Sequence, residues 1–137
     1  MIEIKFRKSK QLPLDQLINL YNSVGWSAYT TDPAVLNQAI INSLDVITAW
    51  ENQRLIGLIR TVGDGQTILY IQDLLVAPSF QQQGIGTKLM QQILNKHKNI
   101  RQKLLLTENE TQTLSFYQKQ GFIDTKEMNL VSFYREH

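Results

Sequence analysis

The chain of 137 residues contains no cysteine. That removes disulfides, thiolate-bound zinc and any cysteinyl acyl-enzyme. Histidine is nearly as scarce: His97 closes an apolar-periodic segment and His137 is the last residue, so the two suggest no metal site. Charge of one sign is lacking too. Lysine and arginine number 14 against 12 acids, a net of +2, and they are interspersed. No nucleic acid or membrane surface is therefore indicated as a partner. The basic cluster Lys96, Lys98, Arg101 and Lys103 reads as a solvated helix end. No apolar run approaches the ~20 residues of a membrane helix. The start, Met1 to Arg7, alternates apolar and charged residues like a strand rather than a signal peptide. Repeats, low-complexity tracts and linkers are absent. With 42% hydrophobic residues, the chain reads as one domain, 1–137, with one core, and the missing cysteine fits a cytoplasmic protein.

What is present centres on residues 68–94. Ile68 to Val76 is a run rich in Ile, Leu and Val, and Pro78 stops it from continuing as a strand. Beyond the loop, Ile85, Leu89 and Ile93 recur every four residues, with Met90 and Leu94 beside them. That is an amphipathic helix laid on a sheet. Gly84 and Gly86 keep side chains out of its first turn, where backbone N–H groups lack helical partners and the dipole is positive. Such a turn suits an anion. The glycines do not complete other phosphate motifs: Leu89 stands where a dinucleotide fingerprint needs its third glycine, and no P-loop string exists. Two glycines alone also fit a turn that only packs a helix closely on its sheet.

The whole stretch, Leu-x-Val-x-Pro followed by Gln81-x-x-Gly84-x-Gly86 and an apolar helix, resembles the acyl-CoA signature of the GNAT superfamily of N-acetyltransferases. The resemblance implies that Gln81, Gln82, Gln83, Gly84, Ile85, Gly86, Thr87 and Lys88 surround the CoA pyrophosphate, held by main-chain amides. The backbone of Leu75 and Val76 would follow the pantetheine arm, with N–H groups at a bulge near Leu75 polarising the thioester carbonyl. Gln82 departs from the pattern, since a small residue or glycine is frequent there. A second segment, Phe116-Tyr117-Gln118-Lys119-Gln120-Gly121-Phe122, resembles the F/L-Y-x-x-x-G-F motif near the end of GNAT domains. It implies that Tyr117 is the general acid for the departing thiolate, a role a phenol of pKa ~10 can fill. Without the motif, Phe116 and Tyr117 would read as core aromatics before a helix stop. Asn109 resembles the family asparagine that bonds pantetheine, one residue further from the tyrosine than the pattern has it.

The elements follow in order. A strand over residues 2–7 precedes a helix from Pro13 carrying Leu14, Leu17, Ile18 and Tyr21. A second helix opens on Asp32 as N-cap with Pro33 behind it. Strands Val46–Trp50 and Leu55–Val62 join at Glu51-Asn52-Gln53, and Gly57 marks a bulge or a close backbone approach. Gly63-Asp64-Gly65 turns into the central strand, and helix 84–97 leads to strand Lys103–Thr107. Asn109 and Gln112 form a capping-box pattern for a helix ending at Gly121, and Phe122–Asp124 and Met128–Tyr134 supply closing strands. The class is α/β: a mixed sheet with helices on both faces and a parallel pair across 68–107. The same order resembles the GNAT acyl-CoA N-acyltransferase fold over nearly the full length.

Asp73 is the only acid in Ile68–Val76. A carboxylate in an apolar strand costs too much to bury without a role or a partner. It reads equally as the base that deprotonates an amine, or as a carboxylate that lies on a solvated face, pairs with an arginine or binds the acceptor ammonium. Trp26 and Tyr29 lie in the loop between the first two helices, which in GNAT proteins lines the acceptor pocket; they also suit a core plug. The resemblance thus implies an acetyltransferase that uses acetyl-CoA and a small-molecule or peptide amine, without a metal, by direct attack in a ternary complex. A homodimer is a further family expectation. Two other readings are a catalytically silent acyl-CoA-binding module and an interaction domain without a ligand.

Overall fold

A computed structural model describes residues 3–137. Backbone contacts divide the chain into two units, one ending at Leu106 and the other spanning Thr107–His137.

The first unit holds a five-stranded sheet in the order β1-β2-β3-β4-β5. These are Ile4–Lys8, Asp45–Glu51, Arg54–Gly63, Ile68–Val76 and Gln102–Leu105. Neighbours from β1 to β4 are antiparallel, while β4 and β5 run parallel, as β4–helix–β5 connectivity requires. Between β1 and β2 come helices α1 (Leu14–Ser23), α2 (Ser27–Thr30) and α3 (Pro33–Ile41). Asp32 caps α3 as its sequence suggests, its carboxylate accepting the N–H of Val35 at 3.3 Å. The stretch Ser27–Thr30, expected as loop, is one helical turn.

Helix α4 (Ile85–Lys96) buries Ile85, Leu89, Met90 and Ile93, the positions of its apolar period. It lies so close to β3 that a Cβ on Gly57 would stand 3.3 Å from Ala49 Cβ and from Ile85 Cγ2. Both expected readings of Gly57 hold, because the register between β2 and β3 also shifts beside it, leaving Ile56 as the extra residue. Helix α1 covers the other face. Its buried Tyr21 bonds to Asp73, opposite Arg60, and Arg60 is an odd number of residues from Gly57.

The far end of α4 is fastened by Asp45. Its carboxylate, buried to 2%, accepts from Lys96 Nζ at 2.6 Å and Thr61 Oγ1 at 2.7 Å and lies 2.6 Å from His97 Nε2. Burial pushes the Asp45 carboxyl up, but the hydrogen bonds from Lys96, Thr61 and His97 outweigh it and hold it below the usual carboxylate range.

The second unit holds α5 (Thr111–Lys119) and a 3₁₀ turn, Thr125–Met128. The expected closing strands do not form: 122–124 and 129–137 carry no strand, and Met128 ends the turn. Nor does the capping box, since Glu110 rather than Asn109 is the N-cap and makes no side-chain cap bond. A strand needs a partner ladder, and among the described residues the sheet consists of β1 to β5.

A folded-state carboxyl held low stabilises above its unfolded value of about 3.9 and loses that contribution as pH falls through the folded value. Asp45→Asn should therefore cost about 1–3 kcal/mol at pH 7. Urea unfolding should show the gap to wild type shrinking below about pH 4. An equal gap at pH 7 and pH 3 would remove the charge from the account of this latch.

Candidate active site

The turn after β4 is built by local bonds. The N–H of Ala77 donates to Ile56 O at 2.8 Å, tying the strand end to β3. Pro78–Phe80 forms a 3₁₀ turn whose buried Phe80 lies under the Arg54 guanidinium, 5.4 Å from its centroid. Gln81 Nε2 then donates to Val76 O at 2.9 Å and closes the loop on the strand. Gln82 and Gly84 both adopt left-handed backbone, φ 62° and 82°. The position where a small residue was expected is thus one that taxes a side chain.

Gly84 is the N-cap of α4 and offers no side chain to cap it. The first intrahelical bond recorded from it is Lys88 N–H to Gly84 O, 3.0 Å. The N–H groups of Ile85, Gly86 and Thr87 therefore point out of the helix start without a helical acceptor. Gln81, Gln82, Gln83 and Gly84 are exposed around them, and so is Lys88. A built Cβ on Gly84 meets nothing within 4 Å, so the cradle is open to solvent. Leu75 is buried and Val76 half-buried at the strand end.

The second cluster lies three residues back along β4. Asp73 is 3% exposed, which settles that it is not a solvated carboxylate. Oδ2 accepts from Arg60 Nε at 2.8 Å and from Tyr21 Oη at 2.9 Å, and Oδ1 accepts from Tyr29 Oη at 2.6 Å. Tyr29 in turn accepts from Gln72 Nε2 at 3.1 Å. Its ring lies 4.9 Å from Tyr21 and 6.3 Å from Trp26, so the two expected loop aromatics and Tyr21 form one cluster. Burial disfavours the Arg60 charge, but Asp73 outweighs it, and the guanidinium ends above its ordinary pKa. Burial first, then the Asp73 charge, drives the Tyr21 phenol far up. Tyr29 is raised for the same two reasons, with its hydrogen bond to Asp73 ahead of the charge.

A β-bulge makes this meeting possible. Arg60 pairs with Asp73 and Thr61 with Ile71, leaving Gln72 as the extra residue of β4. Thr61 shares the α4 face with Asp45, whereas Arg60 shares the α1 face with Tyr21. Ile71 and Asp73, two apart in sequence, thus face opposite sides. The bulge expected near Leu75 is at Gln72 instead, three residues earlier.

In the second unit, Tyr117 packs edge-on to Phe116 and Phe122, with centroids 5.1 and 6.1 Å away. Burial raises its phenol pKa, so its hydroxyl stays protonated at neutral pH. Asn109 is exposed ahead of α5.

A family model described as an acetyltransferase (GNAT) domain matches residues 18–133. The chain belongs to the GNAT family. An uncharacterised N-acetyltransferase ycf52-like protein of Prochlorococcus marinus is 32% identical over 135 residues, covering 94% of this chain and 73% of its own. A solved GNAT acetyltransferase, SP0256 of Streptococcus pneumoniae, superposes with a TM-score of 0.88 at 33% identity, covering 98% of both chains. The aminoglycoside N-acetyltransferase AAC(6')-Iy shares the fold at a TM-score of 0.70 and 22% identity, over 99% of this chain and 96% of that one. This GNAT chain is accordingly an acyltransferase with a mixed sheet.

Within it, sequence reasoning reached Asp73, Tyr29 and Trp26 but missed Tyr21 and Arg60. Arg60 carries the signal that singled out Asp73: it is one ionic residue in the apolar run Leu55–Val62. Tyr21 looked only like a core position of α1. Among the described residues no cluster of His, Asp and Glu is placed to hold a metal, and no helix is long and apolar enough to cross a membrane.

Breaking the buried pair from one side leaves a charge without a counterion. Arg60→Leu should cost about 3–5 kcal/mol in denaturant unfolding, and adding Asp73→Leu should recover much of it. Additive losses in the double variant would contradict an energetic coupling between these side chains.

Proposed function

We propose that this GNAT protein transfers the acetyl group of acetyl-CoA to a primary amine by direct attack in a ternary complex. The observation that carries the reading is the turn at Gln81–Lys88, where left-handed Gln82 and Gly84 turn out the N–H groups of a helix start behind a buried strand. Such N–H groups and the helix dipole suit a pyrophosphate. AAC(6')-Iy, whose fold is shared, is described in complex with CoA. A related aminoglycoside acetyltransferase, meta-AAC0020, is described in complex with sisomicin. Both support an amine acceptor while leaving its identity open.

In this reading the amine, bound as the free base, attacks the thioester carbonyl through nitrogen, the C–S bond breaks, and the thiolate takes a proton from Tyr117. The proton that nitrogen sheds passes through water and restores the phenol. A half-buried, protonated phenol suits that donor role. Gln81 to Lys88 hold the phosphates, Leu75 and Val76 flank the pantetheine, Asn109 bonds it, and Trp26 and Tyr29 meet the acceptor. For Asp73 we favour a positioning role. Its oxygens already accept from three donors, and it fixes the Tyr29 hydroxyl.

An amine-library screen that follows thiol release from acetyl-CoA tests the activity. Turnover on at least one amine is expected; CoA binding without turnover on any would favour a silent CoA-binding module. Tyr117→Phe should lower kcat about 10²–10⁴-fold at unchanged acetyl-CoA affinity. Wild-type turnover in that variant would leave Tyr117 a packing residue. Asp73→Asn should raise the acceptor KM and keep the acid limb of the kcat/KM profile; losing that limb would make Asp73 the base.

A further inference from the structure

A cleft of about 370 Å³ opens in the first unit where β1 ends, beside the start of β2 and the last turn of α4. Lys8, Lys10 and Lys96 line it, over a wall that includes Leu44 and Val46. Lys8 ends β1, Lys10 follows two residues later, and Lys96 ends α4. Only the fold gathers them. Asp45 is the acid of the lining, and its oxygens are already taken by Lys96, Thr61 and His97. Among the described residues neither Lys8 nor Lys10 belongs to an ion pair. Three lysines against one aspartate leave a surplus of two positive charges here, as much as the net charge of the whole chain. Like charges so gathered repel, and a concave wall focuses their field on whatever enters.

Asp45 also makes Lys96 more than a loose surface cation. The ammonium gives one N–H to Asp45 Oδ1 at 2.6 Å while its side chain stays 46% exposed. Two further N–H groups are thus held ready at a fixed place. Lysines act on a ligand as point charges, without the planar fork that arginine offers a carboxylate, and so suit a tetrahedral phosphate. A phosphate monoester carries close to two negative charges at neutral pH, which matches the surplus. The volume lies at the small end of ligand sites, roughly 300–1,000 Å³, and so favours a short carbon skeleton.

We propose that this cleft binds a small phosphate monoester, its phosphate between Lys8, Lys10 and Lys96 and its carbon part against Leu44. The site is distinct from the turn at Gln81–Lys88, because the 12 residues of α4 put about 18 Å of helix between them. It stands whether or not that turn holds CoA.

Titration of the ¹⁵N-labelled whole protein with glycerol 3-phosphate tests the proposal. Amides of residues 8–11, 44–46 and 96 should shift saturably, with a dissociation constant of about 1 mM or tighter. Residue-resolved shifts keep this cleft apart from any anion held at residues 84–87. Lys8→Gln combined with Lys10→Gln should weaken binding here by about tenfold or more. Both side chains are exposed and take no part in the Asp45 latch, so the fold should be kept. Lys98→Gln combined with Arg101→Gln removes the same charge outside the lining and should leave the affinity unchanged. Equal weakening in the two double variants would reduce the cleft to diffuse surface charge and overturn the proposal. So would the absence of saturable shifts at residues 8–11 and 96 with millimolar probe. Sedimentation with vesicles containing phosphatidic acid, without binding of the soluble probe, would also overturn it and assign the lysines to a lipid surface.

Discussion

A buried ion pair between neighbouring strands sets the terms for the sheet and for the candidate site. Arg60 and Asp73 face each other across β3 and β4, with 8% and 2% of their side chains exposed. Two charges in such a place are tolerated only when each satisfies the other and the remaining lone pairs find donors. Tyr21 and Tyr29 supply those donors and so fasten α1 and α2 to the strand. Helices α1 and α2 are therefore positioned by hydrogen-bond geometry as well as by apolar packing.

The same strand leads into the turn at Gln81–Lys88. Asp73 lies three residues before Val76, about 10 Å along an extended chain, and the turn with free helix N–H groups opens directly beyond. The bulge at Gln72 lets β4 serve both purposes, turning Asp73 to the α1 face while Ile71 keeps its packing on the α4 face. Gly57 then lets α4 sit close enough to fix the turn, and the Asp45 latch holds its far end. The aromatic cluster around Asp73 and the turn at Gln81–Lys88 are thereby set in register on one strand.

Much of this was legible where local signals act alone. Pro78 ended β4, Asp32 capped α3, and the four-residue period of Ile85, Leu89 and Ile93 faced the sheet as read. The bulge at Gln72 was not legible, because Ile68–Val76 is an apolar run with no alternation for a bulge to break; only the register against β3 reveals which face Asp73 takes. Arg60 was passed over for a similar reason: its meaning depends on the residue opposite. The closing strands at 122–124 and 128–134 failed for a third. Both segments hold strand-favouring residues, but strand formation is decided by a partner edge that local sequence does not contain. Asn109 and Gln112 matched a capping pattern by type, yet the chain placed Glu110 at the cap.

In the proposed reading the N–H groups at the start of α4, which lack helical acceptors, hold the phosphates of CoA. Amide chemical shifts of ¹⁵N-labelled protein titrated with CoA test it most directly. The account predicts that Gly84, Ile85, Gly86 and Thr87 show the largest and saturable shifts, with the Asp45 latch at the other end of α4 unmoved. Saturable shifts that bypass these four amides, or none at millimolar CoA, would contradict it.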